Sequence, residues 1–432
     1  MGVVDTFHYE KDSPMTILLV RIFLFTLPFQ FALNPVPGVD LHVSRIFSIA
    51  IFLFWLTESL FKKSVHISFS RTTLFLSSFV FIASVSFLWA NQETISLRKS
   101  SFFLSFFPLF FVFSSIVKDG GYDTVRSLSK SLFFGSVLTA LIGIVQFALP
   151  IFFGVGPTFH FWISTVLPPF LGSSFSSVVA EYPSLLANIG GTTMLRASAF
   201  FPDPHMFAYF MGMALPIGFP LFSGEKEPYR KRMYGFLLLV VLVADLLSFS
   251  RGAYLGLVFA GIGLIFLLLR GNSSKKMILW SFLILSSLSL VFFTGNPVRE
   301  RFFSSFSFEE GSNQGRIAMW EEAVMRIEAR PFLGYGLGNY PFAVKPDASP
   351  RDPIYAHNLL LDIATETGII GMLLFLLAFV SAFLTVLEGY PLIALSFLVF
   401  FGHSLVESPL YSVHVFPVLL LLLSFGSVSR RE

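Results

Sequence analysis

Long apolar runs recur along the chain, each near the ~20 residues a helix needs to cross the hydrocarbon core of a bilayer. The pattern predicts twelve spans, at about 14–32, 43–61, 72–90, 101–117, 131–150, 204–222, 233–249, 252–269, 277–294, 358–386, 390–406 and 412–428. Short connections join most of them. The expected fold is therefore an all-α polytopic membrane protein, with residues 1–432 forming a single integral-membrane domain. Two connections are long. The first, 151–203, is itself rather apolar ("FHFWISTVLPPFLGSSF"), as expected of a segment that lies in the interface or re-enters the membrane. The second, 295–357, separates the ninth and tenth spans and is distinctly polar. Within it Ile317, Trp320, Ala323, Val324 and Ile327 recur at helical spacing, which predicts an amphipathic helix over 313–331 closed by Pro331.

Composition agrees with this pattern. Hydrophobic residues make up 54% of the chain and charged residues only 13%, against about 25% in soluble domains. The start, "MGVVDTFHYEKDSPMTILLV", carries acids before its apolar run and no small-residue cleavage site follows, so the first run reads as a permanent helix. The absence of cysteine excludes disulfides and thiol chemistry. A net charge of +3 is too small to point to nucleic acid.

The placement of the positive charges says more. With the N-terminus inside, Lys62, Lys63, Arg71, Lys118, Arg126, Lys130, Lys226, Arg230, Lys231, Arg232, Arg270, Lys275 and Lys276 fall on cytoplasmic connections. Arg430 and Arg431 place the C-terminus there too, and both long loops then face outward. The outer positive charges are nearly all arginine, with Lys99 and Lys345 the exceptions. Arginine offers a rigid fork that matches phosphate or carboxylate, so this bias fits an anionic ligand at the outer face. The bland alternative is pairing with local acids such as Glu321, Glu322 and Glu328.

Four stretches carry candidate chemistry. In "DLLSFSRGAYLG" two spans meet at Arg251 with almost no loop, which pins the arginine at the membrane boundary. Ser250 is a candidate N-cap there, and Asp245, six residues earlier, is the alternative partner of Arg251. In "TMLRASAFFPDPHMFAYF", Arg196 precedes a span, Asp203 reads as a cap or turn residue, and Asp203 with His205 is a poor metal site for want of a third ligand. Arg316 falls in the first turn of the amphipathic helix, where a cation opposes the helix dipole unless an anion is near. Arg326 and Arg330, at its other end, fit dipole and i,i+4 pairing. "GYGLGNY" at 334–340 lacks the spacing and strand context of a phosphate loop and reads as a flexible turn.

The fourth stretch, "HNLLLDIATETGIIG", begins at His357 and Asn358, where polarity stops. Asp362 and Glu366 share one helix face inside the span, and Gly368 and Gly371 share another that permits close packing. An imidazole at neutral pH can take a proton from a sugar hydroxyl. His403, Glu407 and His414 fit no ordinary metal spacing and read as background.

"SFSRGAYLG", "GRIAMWEEAVMRIEARPFLGYGLGNY" and above all His-Asn, nine residues, then Gly-x-x-Gly resemble the O-antigen ligase and O-antigen polymerase superfamily of bacterial inner-membrane enzymes. The resemblance spans about residues 190–372. It implies a metal-independent, cofactor-free, inverting glycosyltransferase of the GT-C type. The implied donor is a glycan on undecaprenyl diphosphate, presented at the periplasmic face, and the implied acceptor is lipid A-core or another glycan or lipid. Carried over, Arg196, Arg251 and Arg316 would hold the diphosphate and His357 would activate the acceptor hydroxyl, with Asn358, Glu366 and Asp245 in support. One departure is "MLLFLL" after the second glycine, where ligases often continue with a small residue and an acid. A polymerase would use the same donor. A transporter of lipid-linked sugar is the reading from another class, but no repeat relates the two halves and the polar site sits at the outer boundary.

Overall fold

The computed structural model describes residues 14–36, 39–63, 67–181, 184–270, 297–304, 311–349, 352 and 354–428. The chain opens with α1 (Pro14–Thr26), the hairpin β1 (Ala32–Val36) and β2 (Val39–His42), α2 (Val43–Phe61), α3 (Arg71–Val85) and α4 (Glu93–Phe106). A 41-residue helix α5 (Pro108–Ala148) follows. The short helices α6 (Pro150–Phe153), α7 (Val155–Phe161), α8 (Pro168–Leu171) and α9 (Ser173–Glu181) lead to a second hairpin, β3 (Leu186–Ile189) and β4 (Thr192–Leu195). Then come α10 (Pro204–Ser223), α11 (Pro228–Leu246), α12 (Arg251–Arg270), α13 (Pro297–Ser304), α14 (Gly311–Ala329) and α15 (Tyr340–Val344). The chain closes with α16 (Leu359–Gly389), α17 (Pro391–Ser404) and α18 (Val415–Phe425).

Among the described residues, six helical stretches are long and apolar enough to cross a membrane, and three apolar helices are shorter. The count of twelve expected from the sequence is not reproduced on this criterion. The expected span at 277–294 lies outside the described residues, as do both termini. The expected spans at 101–117 and 131–150 are not separated by a loop. Their polar link is helical, and the chain changes direction at Gly121, whose φ of 55° only glycine adopts readily.

The all-α expectation also needs correction, because two of the connections form antiparallel hairpins. In the second, Gly190 and Gly191 both take positive φ (57° and 81°), the geometry that lets a two-residue loop follow the twist of its strands. The apolar 151–203 segment folds as short helices and this hairpin, with Trp162, Leu167, Leu171, Val179, Leu185 and Leu195 as its own small core.

Phenylalanine fills the centre of the bundle. Every residue of α18 is buried, and its Phe416 meets Phe103 edge-on at 5.0 Å. Phe79 of α3 contacts both Phe103 and Phe375 at 6.2 and 5.4 Å. Edge-to-face geometry suits the ring quadrupole and adds about 0.5–1.5 kcal/mol per pair. In a bilayer, where apolar burial alone does little to bring helices together, such packing matters more.

Helix α16 is broken. Gly368 sits at φ 73°, ψ 176°, a region open essentially only to glycine. Residues 331–336 fill the break. Ile369 N–H donates to Pro331 O (2.8 Å), Tyr335 N–H to Thr365 O (2.9 Å) and Gly336 N–H to Glu366 O (2.8 Å). The glycines of "GYGLG" therefore allow backbone to meet backbone; a Cβ on Gly334 would run into the carbonyls of Thr365 and Glu366. The expected flexible turn is a packed plug. The expected packing face at Gly368 and Gly371 is instead a break at Gly368, whose close neighbour is Phe332. Gly368→Ala should cost at least about 1–3 kcal/mol from backbone strain alone, whereas Gly389→Ala, with open space around its Cβ position, should be near neutral. Thermal unfolding of the two variants in detergent checks this.

Candidate active site

Four local structures aim side chains at one end of the bundle. The first is the start of α10. Asp203 caps the helix, its Oδ1 accepting the N–H groups of His205 (2.8 Å) and Met206 (2.9 Å), as expected. The cap fixes His205 in the first turn, with Nδ1 2.9 Å from Ser250 Oγ.

The second is the turn between α11 and α12. Phe249 takes a left-handed φ of 48°, and Ser250 Oγ accepts Ala253 N–H (3.4 Å), the expected cap. Arg251 is buried at the first residue of α12. It does not sit with Asp245 as a bonded pair. Asp245 is fully buried, with Oδ2 close to Gly212, and neither of its carboxylate oxygens accepts a hydrogen bond among the described residues.

The third is the strand exit after β4. Arg196 is buried, and its Nε donates to Ser248 O (2.7 Å) and its Nη1 to Ser184 O (2.9 Å). Its Nη2 has no hydrogen-bond partner among the described residues. Burial, and then the charge of Arg301, hold its pKa down to about 9, with Asp203, Tyr254 and Glu407 opposing. Arg301, a residue the sequence reading gave no role, reaches Phe249 O with Nε at 3.5 Å.

The fourth is the start of α16. Asn358 is its cap, accepting Leu360 N–H (3.1 Å) and Leu361 N–H (3.2 Å), while its Nδ2 donates to Leu405 O (3.1 Å). That last bond ties α16 to the end of α17. Just before the cap, His357 is held at φ 51° with its ring centroid 4.0 Å from that of Tyr355. Its Nδ1 lies 3.3 Å from Glu407 Oε2, and the imidazole stays partly exposed.

Glu407 is the hub. Only 2% exposed, it presents Oε2 to His357 and, at 4.0 Å, to His205, while Oε1 accepts Ser408 N–H (3.1 Å). Ser250 Oγ also meets His403 Nε2 (3.3 Å), and the His403 ring stacks flat on Tyr209 at 3.6 Å. Tyr209 in turn donates to Glu407 O (3.1 Å). Glu407 and His403, read as background from the sequence, thus lie against His357 and Ser250, whereas His414 lies apart, bonded to Gln30 and stacked on Phe201. An acid at the mouth of an apolar span was the available signal for Glu407, the same one that marks Asp362 and Glu366.

Arg316 lies close enough for its charge to act on His205, His403 and Tyr355. It is the sixth residue of α14, not in the first turn, so the dipole argument for it falls. The apolar face of α14 is narrower than expected: Ala323 is buried near Trp320, Tyr340 and Ala356, but Ile317 and Val324 are exposed. Arg326 pairs with Glu322 at i,i+4 (2.7 Å) as expected, whereas Arg330 lies over Tyr335 (4.5 Å) and reaches Asn91 Oδ1 (3.2 Å). Glu366 sits at the α16 break rather than at the histidine. It accepts the Tyr411 hydroxyl, and Lys99 lies 3.9 Å over that ring. Asp362 Oδ1 accepts Ala356 N–H (2.8 Å), which shapes the turn before His357. Among the described residues no group of three or more His, Asp or Glu is placed to hold a metal.

One end of the bundle thus brings together a histidine–carboxylate pair, a second histidine and the three arginines singled out from the sequence. Residues 235–376 match the family model of the O-antigen ligases. The three motifs quoted for the resemblance all fall in this matched segment, with Asp245, Arg251, Arg316, His357, Asn358 and Glu366 inside it and Arg196 and Glu407 outside. A Rickettsia conorii protein provisionally named as a polysaccharide ligase is 27% identical over 173 residues, covering 36% of this chain and 39% of that protein. The match therefore spans about two fifths of the relative's length.

Burial, and next the charge of Glu407, raise the Asp203 pKa to about 6 from a usual 3.8. Because the folded form binds this proton more tightly than the unfolded one, its contribution to stability falls as pH rises from about 4 to about 6 and stays low above that. Asparagine caps as well as aspartate. Asp203→Asn should match the parent near pH 4 and exceed it by about 1–3 kcal/mol at pH 7, measured as unfolding midpoints at both pH values.

Proposed function

We propose that this chain is a membrane-embedded glycosyltransferase of the O-antigen ligase type. It moves a glycan from undecaprenyl diphosphate to a lipid A-core, or another glycan or lipid acceptor, at the periplasmic face of the bacterial inner membrane, with both termini cytoplasmic. The observation that carries the reading is the 3.3 Å approach of His357 Nδ1 to Glu407 Oε2 beside buried arginines.

Glu407 accepts the Nδ1 proton of His357, which leaves the Nε2 lone pair for the acceptor hydroxyl. The carboxylate also stabilises the imidazolium that forms, as the acid does in hydrolase triads. The acceptor oxygen attacks the anomeric carbon as its proton passes to Nε2. The bond from that carbon to the diphosphate oxygen breaks, and its electron pair leaves with the diphosphate. One displacement inverts the configuration. Arg196, through Nη2, binds the diphosphate with Arg251 and Arg316 and stabilises its growing charge, the kind of preorganised stabilisation that dominates many enzymes. With that charge met by arginine and the proton taken by His357, the reaction needs no metal.

The test is transfer by purified protein, supplied with lipid diphosphate-linked glycan and a lipid A-core acceptor in the presence of EDTA. His357→Ala should abolish turnover and leave donor binding largely intact. Glu407→Gln should lower kcat by up to about 10⁴-fold, the loss seen when the acid that orients a catalytic histidine becomes an amide. Arg251→Lys should not restore the donor affinity lost in Arg251→Ala, because the ammonium lacks the planar fork. Near-normal turnover in His357→Ala would sink the base assignment. Longer donor-linked chains without acceptor product would assign a polymerase instead.

A further inference from the structure

Glu407 stands between two imidazoles. One carboxylate oxygen, Oε2, lies 3.3 Å from His357 Nδ1 and 4.0 Å from His205 Nδ1. Both rings thus turn Nδ1 toward the acid, and the two side chains are about equally accessible, at 22% and 21%. The Asp203 cap holds His205 in the first turn of α10 by accepting its backbone N–H. The turn before α12 holds the ring, with Nδ1 2.9 Å from Ser250 Oγ. That turn also anchors Arg196, whose Nε donates to Ser248 O at 2.7 Å. An imidazole and a guanidinium are therefore fastened to one short stretch of chain.

The groups around Ser250 locate the hydrogen on His205. Ser250 Oγ meets Ala253 N–H (3.4 Å), His205 Nδ1 (2.9 Å) and His403 Nε2 (3.3 Å). A hydroxyl has one hydrogen and two lone pairs. The Ala253 amide takes one lone pair, so with both rings neutral one imidazole donates to Ser250 and the other accepts from it. His403 decides which. Its ring is fixed, stacked flat on Tyr209 at 3.6 Å and so close to Gly252 that a Cβ there would overlap it. Its Nδ1 is buried with no hydrogen-bond partner among the described residues. If His403 accepted at Nε2, that Nδ1 would carry an orphaned N–H, a fault rarer in protein interiors than an unfilled acceptor. Donation from His403 Nε2–H leaves only an unfilled lone pair. Ser250 then gives its own hydrogen to His205 Nδ1, and the hydrogen of His205 sits on Nε2. That nitrogen has no hydrogen-bond partner among the described residues and, unlike His403 Nδ1, is not sealed from solvent.

We infer that His205 is a second catalytic imidazole, opposite in role to His357, and that its Nε2–H donates a hydrogen bond to the phosphate oxygen that carries the sugar. This rests on the proposed transfer reaction. His357, with its Nδ1–H on Glu407, offers a lone pair at Nε2. His205, with Nδ1 filled by Ser250, offers a hydrogen there. The two sides of one carboxylate thus supply an acceptor for the incoming hydroxyl and a donor for the departing oxygen. As the bond from the anomeric carbon breaks, its electron pair moves onto that oxygen and strengthens the hydrogen bond from Nε2. The hydrogen stays on His205, and the diphosphate departs as an anion. A preorganised donor aimed where charge develops is worth about 10²–10³-fold in kcat.

Amide substitutions separate the two nitrogens, since an asparagine amide nitrogen falls near the place of Nδ1 and a glutamine amide nitrogen near that of Nε2. The purified full chain is assayed for transfer from lipid diphosphate-linked glycan, with binding of that lipid and thermal unfolding measured alongside. His205→Gln keeps a donor at the outer position and should hold kcat within about tenfold of wild type. His205→Asn keeps only the contact with Ser250 and should lower kcat about 10²–10³-fold. Affinity for the glycan lipid should change less than about threefold in His205→Asn, as expected of an interaction made mainly in the transition state. The reverse order of activities would mean that the Ser250 contact is what matters. Equal loss in both variants would make His205 a scaffold, and full activity in His205→Asn would leave Nε2 without a role. Each of these results overturns the inference and leaves the transfer reading standing, whereas a wild-type chain that transfers nothing overturns both.

Discussion

A carboxylate taken out of water has to be met by donors, because an isolated buried charge is far costlier than a paired one. Glu407 is such a group, and satisfying it organises one end of the bundle. Its oxygens draw in His357, His205 and the Ser408 amide, and its backbone carbonyl takes the Tyr209 hydroxyl. These partners belong to α10, the turn before α16 and the stretch of chain after α17. Their meeting places His205 within range of the charges of Arg196, just after β4, and Arg316 of α14. Removing the carboxylate would release the imidazole, while Asn358 Nδ2 would still tie α16 to Leu405 at the end of α17.

The arginines form the second half of the arrangement. Arg196 spends two of its nitrogens on backbone carbonyls, which fixes the guanidinium while Nη2 remains unused. The charge of Arg301 works against it. Like charges gathered in a poorly solvated place repel, which costs the folded protein free energy.

Much of the cap chemistry was legible in the sequence. Asp203, Ser250 and Asn358 are small polar residues before apolar runs, and all three cap the helices that follow. His357, Arg196 and Arg251 could be singled out because ionisable groups rarely sit at the membrane boundary without cause. What escaped were features that depend on distant chain meeting in space. Glu407 lies 50 residues beyond His357 and looked ordinary until α17 folded back beside α16. Periodicity could not reveal that Gly368 interrupts a helix, since "TETGIIG" reads as an unbroken apolar span. Nor could it show that Lys118–Lys130 would stay helical, because charge alone does not end a helix when one glycine can redirect it.

The plug in α16 has a bearing on how the chain can vary. Residues 331–336 supply rungs to a ladder that belongs to another element, with donors and acceptors spaced to match Thr365, Glu366 and Ile369. Asn339 extends the same registration to α4, where its side chain accepts Gln92 N–H and meets Ser96. An added or deleted residue here would shift every later bond by one position. The stretch looks like a polar surface loop, the usual home of insertions, yet its length is as constrained as that of a core strand. Changes in loop length between α14 and α16 are tolerable only after α15, around Lys345–Ser349, where the chain returns to solvent.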